Sequence, residues 1–370
     1  MKLKRCIKCL MPNTRPGIIF DQEGVCQACR NFAKRKLIDW QARKKELARI
    51  CEAHKRSDHY YDCMIPVSGG KDSHFQVYTM VEEMGMHPLL FTVGDPFTKT
   101  RAGVHNFHNM GITWGCDHLA FYWSPPLLKK VVRIAFEELG EPLRFIEKGI
   151  HSIVLKTAIR MGIKLIVYGE NPAYEYGTTE IDDLSSGKAY MENIFKEVDF
   201  DYWRNKGIPL TELDAAIPPP SPKEQWPDII FMSHFDPWSS VAHLATAKQR
   251  GFQDLTHEWK REGTIEDFEQ IDSVAYMVNF YLKYPKFGFQ RVTDIASRRV
   301  REGRLTLDEA RKLIKEHDHK IDPKAIEDFL RFTGYTPKEF WDIFNKFYNP
   351  DIFEKVDNVW ILRSDAHNGL

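Results

Sequence analysis

Short apolar segments alternate with helical patterns between residues 63 and 169, and this alternation restricts the possible fold more than any other feature. Apolar runs at Cys63–Val67, Leu89–Val93, His118–Tyr122 and Lys164–Gly169 predict strands, with a helix expected in each interval. Strands that alternate with helices form parallel sheets covered on both faces. The sequence therefore predicts an α/β protein with a doubly wound parallel sheet.

A proline-rich stretch separates this alternating part from the rest of the chain. Residues 214–228 contain five prolines and follow no regular pattern, which predicts a rigid loop. Beyond it, Thr306-x-x-Glu309 and Thr336-x-x-Glu339 are capping boxes that predict helix starts. We expect a small module over residues 1–35, a connecting helix over 36–58, the alternating domain over 59–213, a boundary loop over 214–232 and a helical substrate or partner region over 233–370.

The charge of the chain is unevenly distributed, although it sums to zero. Residues 1–60 contain 15 Lys and Arg against 6 Asp and Glu, a net charge of +9 that the remaining residues balance. Such a segment suits nucleic acid, an acidic partner or an anionic substrate. Such an excess of positive charge more often belongs to a helix that is exposed to solvent and binds no partner. We therefore do not expect nucleic acid as the partner.

The hydropathy pattern predicts a protein that is not inserted in a membrane. No run of 18 apolar residues exists, and the first 17 residues lack the apolar segment of a secretory signal. We therefore expect a cytoplasmic location, where the seven cysteines would stay reduced.

Two Cys-x-x-Cys pairs lie close to the start of the sequence. Cys6 and Cys9 are followed, after 16 intervening residues, by Cys26 and Cys29. This spacing is typical of four thiolates around one zinc ion, and four protein ligands leave no open position for catalysis. A redox role fits less well, because neither pair opens a βαβ unit. The sequence predicts a structural zinc module.

The segment Ser68–Ser73, Ser-Gly-Gly-Lys-Asp-Ser, follows a predicted strand and opens a predicted helix. Gly69 and Gly70 let backbone N–H groups approach phosphate oxygens, and Lys71 adds a full positive charge. Asp72 would repel a bare phosphate, so it is expected to hold Mg²⁺ or to cap the helix. Neither the Walker A pattern nor G-x-G-x-x-G is present.

This segment closely resembles the loop of the PP-loop ATP pyrophosphatases. The resemblance implies that the loop binds the β,γ-pyrophosphate of ATP, that ATP is cleaved between the α and β phosphates, and that AMP passes to a substrate. It also implies catalytic roles for Lys71 and Asp72, with Mg²⁺ on Asp72. Glu170 is a further catalytic candidate, as a magnesium ligand or a substrate contact, and it fits a helix cap or a salt bridge as well. The implied ATP-binding residues are Val67, Ser68, Gly69, Gly70, Lys71, Asp72, Ser73, Val93, Gly169 and Asn171.

Nearly the whole chain resembles the N-acetyl sugar amidotransferases of surface-polysaccharide pathways. The likeness lies in CIKCLMPNTRPGIIFDQEGVCQACR, VSGGKDS, YGEN and KFGFQRVTDIASRRVREGRLTLDEA, in that order along the chain. The stretch FTVGDPFTKTRAG departs from the family pattern. The resemblance implies that an acetamido group of an acidic or nucleotide-linked sugar is O-adenylated and then converted by ammonia into an acetamidino group, in O-antigen or related glycan synthesis.

Ammonia for such a reaction is expected from a separate subunit. The chain has no G-x-C-x-G motif of a glutaminase and does not begin with Cys. A glutaminase subunit, with a cyclase-like subunit that channels ammonia, is therefore the expected partner. The polar residues expected to contact the sugar are His234, Asp236, Trp238, Arg291, Asp294, Ser297 and Arg304, each of which fits a structural ion pair or a packed turn as well.

Two other functions remain open at this stage. A tRNA thiolase with the same loop is favoured by the basic first 60 residues and by the cysteine module. It is weakened because sulfur transfer usually needs a reactive thiol near the loop, and only Cys116 follows Lys71. A zinc adaptor with an inactive nucleotide site is disfavoured by the intact segment Lys71–Ser73.

Overall fold

Five parallel strands form the central sheet of the computed structural model, which describes residues 3–58, 60–170, 176–177, 187–196 and 200–363. The strand order is β3-β2-β1-β4-β5, so the chain builds outward from β1 in one direction and then returns to its other side. The strands are β1 (Cys63–Pro66), β2 (Pro88–Val93), β3 (His118–Phe121), β4 (Leu165–Tyr168) and β5 (Asp228–Phe231). This arrangement confirms the predicted α/β class, and ligands of such sheets bind where the strand order reverses, here between β1 and β4.

The central strands are apolar because helices cover both faces of the sheet. In β1, Cys63, Met64 and Ile65 are buried, and β2 is buried from Pro88 to Thr92. The edge strand β3 is only half-buried and exposes Leu119. Continuous apolar runs of this kind are typical of parallel strands.

The α-helices of the described residues fall into two groups along the chain. The first group is α1 (Gln27–Lys34), α2 (Trp40–His54), α3 (Lys71–Tyr78), α4 (Arg101–Trp114), α5 (Pro125–Leu139), α6 (Arg144–Arg160), α7 (Gly187–Lys196), α8 (Phe200–Asn205), α9 (Leu210–Leu213) and α10 (Met232–Phe235). The second group is α11 (Ser240–Lys248), α12 (Tyr276–Tyr281), α13 (Lys283–Phe287), α14 (Arg291–Arg301), α15 (Leu307–His317), α16 (Pro323–Thr333) and α17 (Pro337–Phe344). None of these helices combines the length and hydropathy needed to cross a lipid bilayer.

The segment expected to be a boundary loop, residues 214–232, differs from that expectation at its end. It contains β5, which pairs in parallel with β4 in the register Leu165↔Asp228 to Tyr168↔Phe231. The strand has only four residues and directly follows Pro227. Its run of apolar residues is therefore too short to be recognised as a strand from the sequence. The sheet therefore continues beyond residue 213, the expected end of the alternating domain.

The carboxyl-terminal helices share a core with the sheet domain. Phe136 of α5 stacks on Phe340 of α17, with ring centroids 5.3 Å apart, and packs edge-on against Phe329 of α16 at 5.1 Å. All three rings are fully buried. Each such side chain stabilises the fold by about 1.5–3 kcal/mol. The helical region is thus fixed against the sheet.

Local sequence signals correctly predicted several helix starts in this region. Both capping boxes form, at the first turns of α15 and α17. An antiparallel hairpin of β6 (Phe353–Val356) and β7 (Val359–Leu362) was not predicted. Asp357 and Asn358 turn it with φ of 48° and 65°, the backbone region that two-residue hairpin turns require.

Candidate functional site

The loop Ser68–Gly70 joins β1 to α3 at the point where the strand order reverses. Gly69 has φ of 98°, a conformation that side chains with a Cβ rarely adopt, and a Cβ there would lie 3.4 Å from the backbone N of Phe107. The Ser68 N–H donates to Ser73 Oγ at 3.0 Å, and the Gly70 N–H donates to Ser68 Oγ at 3.3 Å. The loop is therefore tight, and it leads directly into the first turn of α3.

Asp72 lies in the first turn of α3 between two positively polarised groups. Lys71 Nζ donates to Asp72 Oδ2 at 2.6 Å, and His243 Nδ1 lies 2.6 Å from Asp72 Oδ1. Burial alone would raise the pKa of Asp72, but the Lys71 charge and the His243 hydrogen bond hold this pKa well below its usual range. Asp72 is therefore a carboxylate at neutral pH, as a magnesium ligand must be.

His243 belongs to α11, which packs along α3, and its side chain is fully buried. Its ring stacks on Phe75 with centroids 3.9 Å apart, and the Ser239 N–H donates to His243 Nε2 at 3.4 Å. Because Nε2 accepts that hydrogen bond, the ring proton lies on Nδ1 and is donated to Asp72. No local motif marks this residue, since 171 positions separate it from Asp72.

A cavity of about 400 Å³ opens at the carboxyl ends of β1, β2, β4 and β5. Its size and its apolar side chains suit a nucleoside. The expected ATP-binding residues Val67, Ser68, Ser73, Val93 and Gly169 all line it. Other lining residues, which the sequence did not single out, include Glu147, Ile150, His151 and Phe231.

A second, more polar cavity of about 190 Å³ lies on the other side of the loop. Gly70, Lys71 and Asp72 line this cavity. The residues that line both cavities are Ser68, Ser73, Gln76 and Glu170. The loop is thus placed between a nucleoside-sized space and a polar space, where a reacting phosphate could face both.

The far wall of the second cavity comes from the segment Phe268–Asp272, together with Arg291 of α14. Arg291 Nε donates to Glu269 Oε1 at 2.8 Å, and both side chains are largely buried. Burial would raise the pKa of Glu269, but the Arg291 charge lowers it, so this pair remains ionised. Trp238, also expected at the substrate site, lines the same cavity and contacts His243 edge-on.

The other five residues expected at the substrate site line neither cavity; they are His234, Asp236, Asp294, Ser297 and Arg304. Asp294 of α14 is buried and accepts hydrogen bonds from Arg15 and, at 3.2 Å, from Lys283 Nζ. His234 Nδ1 lies 3.1 Å from Arg43 Nη1. Asn171, expected at the ATP site, lies outside the described residues.

The four cysteines of the two Cys-x-x-Cys pairs come together in one buried cluster. All four Sγ atoms lie within 4.8 Å of one another, with Cys6 to Cys29 at 3.8 Å and Cys9 to Cys26 at 3.6 Å. Sulfurs bound tetrahedrally at about 2.3 Å from one ion would be about 3.8 Å apart. The cluster could therefore hold a metal ion without rearrangement.

The cysteine module, residues 3–35, contacts the wall of the second cavity. The guanidinium of Arg15 lies 4.1 Å over the ring of Tyr176, which is among the lining residues. Arg291 Nη1 donates to the Tyr176 hydroxyl at 3.4 Å, and the Ile19 N–H donates to the carbonyl of Gly177 at 3.4 Å. The module thus supports the cavity from outside and supplies none of its described lining residues.

Comparison with protein families finds one match, in the carboxyl-terminal part of the chain. Residues 262–365 match the family described as "LPS biosynthesis protein WbpG-like, C-terminal domain". This range contains Phe268–Asp272 and Arg291, which form the far wall of the second cavity. A search of curated proteins by sequence finds no significant match.

Two solved structures illustrate the similarity of the chain to proteins of known structure. The U34-tRNA thiolase NcsA from Methanococcus maripaludis, solved with its [4Fe-4S] cluster, is 14% identical with a TM-score of 0.31, over 86% of this chain and 90% of that one. NMN synthetase from Francisella tularensis is 10% identical with a TM-score of 0.28, over 60% of this chain and 100% of that one. At these TM-scores neither likeness carries an argument about activity.

Proposed function

We propose that this protein is an ATP-dependent sugar amidotransferase of surface-glycan synthesis. In this proposal the enzyme first adenylates the acetamido oxygen of a sugar and releases pyrophosphate. Ammonia then displaces AMP, so that an NH group takes the place of the oxygen. The observation that carries the proposal is the position of the Ser68–Ser73 loop between a nucleoside-sized cavity and a polar cavity. A nucleotide spanning the loop would present its α-phosphate to an acceptor in the polar cavity.

The first half of the reaction depends on charge neutralisation at the phosphates. The acetamido oxygen attacks the α-phosphorus, the bond to the β-phosphate breaks, and pyrophosphate leaves. Lys71 and the loop N–H groups would stabilise the negative charge that moves onto the leaving group. Mg²⁺, held by the Asp72 carboxylate, would supply further positive charge. Glu170 lines both cavities, and we assign it to the same step as a second catalytic carboxylate.

The acceptor is assigned from the polar cavity and from the family match. The matched range supplies the far wall of this cavity, where Arg291 is paired with Glu269 and its Nη1, now on the Tyr176 hydroxyl, could instead donate to a carboxylate or phosphate on a sugar. Trp238 offers an aromatic wall nearby. These features support an acidic or nucleotide-linked N-acetyl sugar as the substrate.

We further propose that the cysteine module holds one structural zinc ion. The sulfur separations of 3.6 Å and 3.8 Å match a single tetrahedral ion. A [4Fe–4S] cluster, which places four irons and four sulfides between the thiolates, would hold the sulfurs further apart. With all four positions taken by cysteine, this ion would stabilise the module and take no part in the reaction.

Ammonia supply and location complete the proposal. A separate glutaminase subunit, with a cyclase-like companion that channels ammonia, would deliver the nucleophile, and the reaction would take place in the cytoplasm, where ATP is available.

The alternative function, tRNA thiolation, needs a reactive thiol near the loop. Among the described residues lining the two cavities, none is a cysteine, which favours the amidotransferase.

The test is a direct assay with ATP, Mg²⁺, ammonium and candidate N-acetylated sugars. We expect AMP and pyrophosphate, with the small decrease in sugar mass that follows when NH replaces oxygen. Lys71→Ala should lower kcat by about 10²–10³-fold, as losing one transition-state donor does. Lys338→Ala, at an exposed lysine of α17, is the matched control and should leave kcat unchanged. Formation of ADP in place of AMP would contradict the proposal.

A further inference from the structure

Asp272 is a carboxylate in the wall of the second cavity that the proposed adenylation step does not use. Other carboxylates of this wall are neutralised, Asp72 by Lys71 and Glu269 by Arg291. Among the described residues, no other side chain forms an ion pair or a hydrogen bond with the Asp272 carboxylate, which accepts a hydrogen bond from its own backbone N–H. It therefore offers the cavity an acceptor that the protein leaves open.

The backbone around Asp272 is held in place by its neighbours. Arg261 Nη1 donates to the carbonyl oxygens of Glu269 at 2.6 Å and Gln270 at 3.1 Å. Gln270 has φ of 43°, a conformation that costs free energy for a residue with a Cβ and persists where the surroundings enforce it. The position of Asp272 in the wall is thus imposed by the tertiary structure.

The charges around Asp272 favour proton uptake near neutral pH. Burial and the nearby Asp95 carboxylate raise the pKa of Asp272 to about 6, while Lys99 and Arg261 act in the opposite direction. Lys99 is already paired with Asp95, with Nζ and Oδ2 2.8 Å apart. A group with such a pKa is suited to accept a proton under physiological conditions.

We propose that Asp272 is the base that takes a proton from ammonia as it adds to the adenylated sugar. This inference rests on the proposed function and identifies the residue for its second half. Ammonia forms a C–N bond to the imidate carbon while the π pair of the C=N bond moves onto the imidate nitrogen, and the resulting ammonium group loses one proton to the Asp272 carboxylate. The nitrogen pair then re-forms the C=N bond as the C–O bond to AMP breaks. AMP leaves with the electron pair of that C–O bond, and the acetamidino group remains. Asp272 returns its proton to solvent.

Asp272→Asn separates the two halves of the reaction. We expect amidine formation from ammonia to fall by about 10²-fold or more, the contribution of a general base. Exchange of labelled pyrophosphate into ATP, dependent on the sugar and measured without ammonia, should stay at the wild-type rate, and it also reports that the variant is folded. Hydroxylamine should restore turnover, because its adduct is more acidic than the ammonia adduct and can lose its proton to water without a base from the protein. Asp267→Asn, at the exposed aspartate that directly precedes the segment Phe268–Asp272, should change neither activity.

The pH profile gives an independent measurement. Because the carboxylate is the active form, kcat with ammonia should fall as the pH decreases through about 6, and this acid limb should be absent from Asp272→Asn. Asp95→Asn removes the nearby negative charge and should shift the limb to lower pH.

Two results would overturn the proposal. The first is that the Asp272→Asn variant forms the amidine from ammonia at the wild-type rate. The other is loss of pyrophosphate exchange that added Mg²⁺ restores, because Asp272 would then be a metal ligand. If wild-type protein shows no sugar-dependent exchange at all, the proposed function itself fails, and that outcome is distinct from both.

Discussion

The buried side chain of His243 and the side chain of Lys71 together fix the orientation of the Asp72 carboxylate. His243 holds Asp72 Oδ1 while Lys71 holds Oδ2, so the carboxylate cannot rotate without losing a short hydrogen bond. His243 is itself fixed by the stacked ring of Phe75 and by the Ser239 N–H. Partners of this kind commonly orient metal-ligating carboxylates. We regard His243 as a positioning residue for Asp72.

Replacing His243 tests this role. His243→Ala should raise the Mg²⁺ concentration needed for half-maximal activity by about 10–100-fold, because Asp72 loses the partner that orients it. His243→Asn keeps a hydrogen-bond donor near the place of Nδ1 and should recover most of the loss. The measurement is activity titrated with Mg²⁺ at saturating ATP. If both variants lose stability but keep the wild-type Mg²⁺ requirement, the histidine only fills space.

At the scale of elements, the junction of β1 and α3 depends on what packs beside it. The Cβ position of Gly69 faces the backbone of α4, and α11 packs along the opposite part of α3. The loop is therefore confined by two helices that are distant from it in sequence. This confinement explains how a turn with a left-handed glycine keeps one conformation, and a loop of fixed shape at a helix start is what the proposed phosphate binding requires.

Gly69→Ala should affect both stability and nucleotide binding. A side chain at this φ costs about 1–2 kcal/mol of folding free energy, and relief of that strain would displace the loop. Gly115→Ala is the matched control, because Gly115 has φ of 62° with open space around its Cβ position at the end of α4. Denaturant unfolding should show comparable destabilisation of the two variants. Only Gly69→Ala should raise the KM for ATP, and equal KM values would disprove the assignment of the loop.

At the scale of the whole molecule, the cysteine module is joined to the carboxyl-terminal helices by a buried ion pair between Arg15 and Asp294. Asp294 of α14 pairs with Arg15 of the module and with Lys283, and these cations hold the pKa of Asp294 well below its usual range despite its burial. Arg15 also covers Tyr176 at the second cavity. The module is therefore expected to influence the acceptor more than the nucleotide.

Loss of the metal tests that connection. Cys6→Ser should reduce bound zinc and the yield of folded protein, since a module of this size has little core of its own. In the protein that does fold, the KM for the sugar should rise while the KM for ATP stays near the wild-type value. Cys116→Ser, at a cysteine far from the module in sequence, should keep full zinc content. Unchanged zinc content in Cys6→Ser would refute the four-thiolate site.

Patterns confined to a few neighbouring residues were sufficient to predict part of this protein. The strand-loop-helix around Ser68–Ser73, the two capping boxes and the α/β class all follow from short-range spacing. The pairing of the two Cys-x-x-Cys motifs was also predictable, because metal ligation uses a small set of spacings. In each case the physical cause acts within a turn of helix, a strand or a single binding motif.

The tertiary structure alone decided which distant groups meet at the loop. His243 reaches Asp72, and Asp272 enters the polar cavity, without any local signal for either contact. Asp294, by contrast, was expected at the substrate and lies in an ion pair with the cysteine module. Such contacts depend on how whole helices pack, since burial and charge pairing are set by surfaces that come together only after the chain has folded.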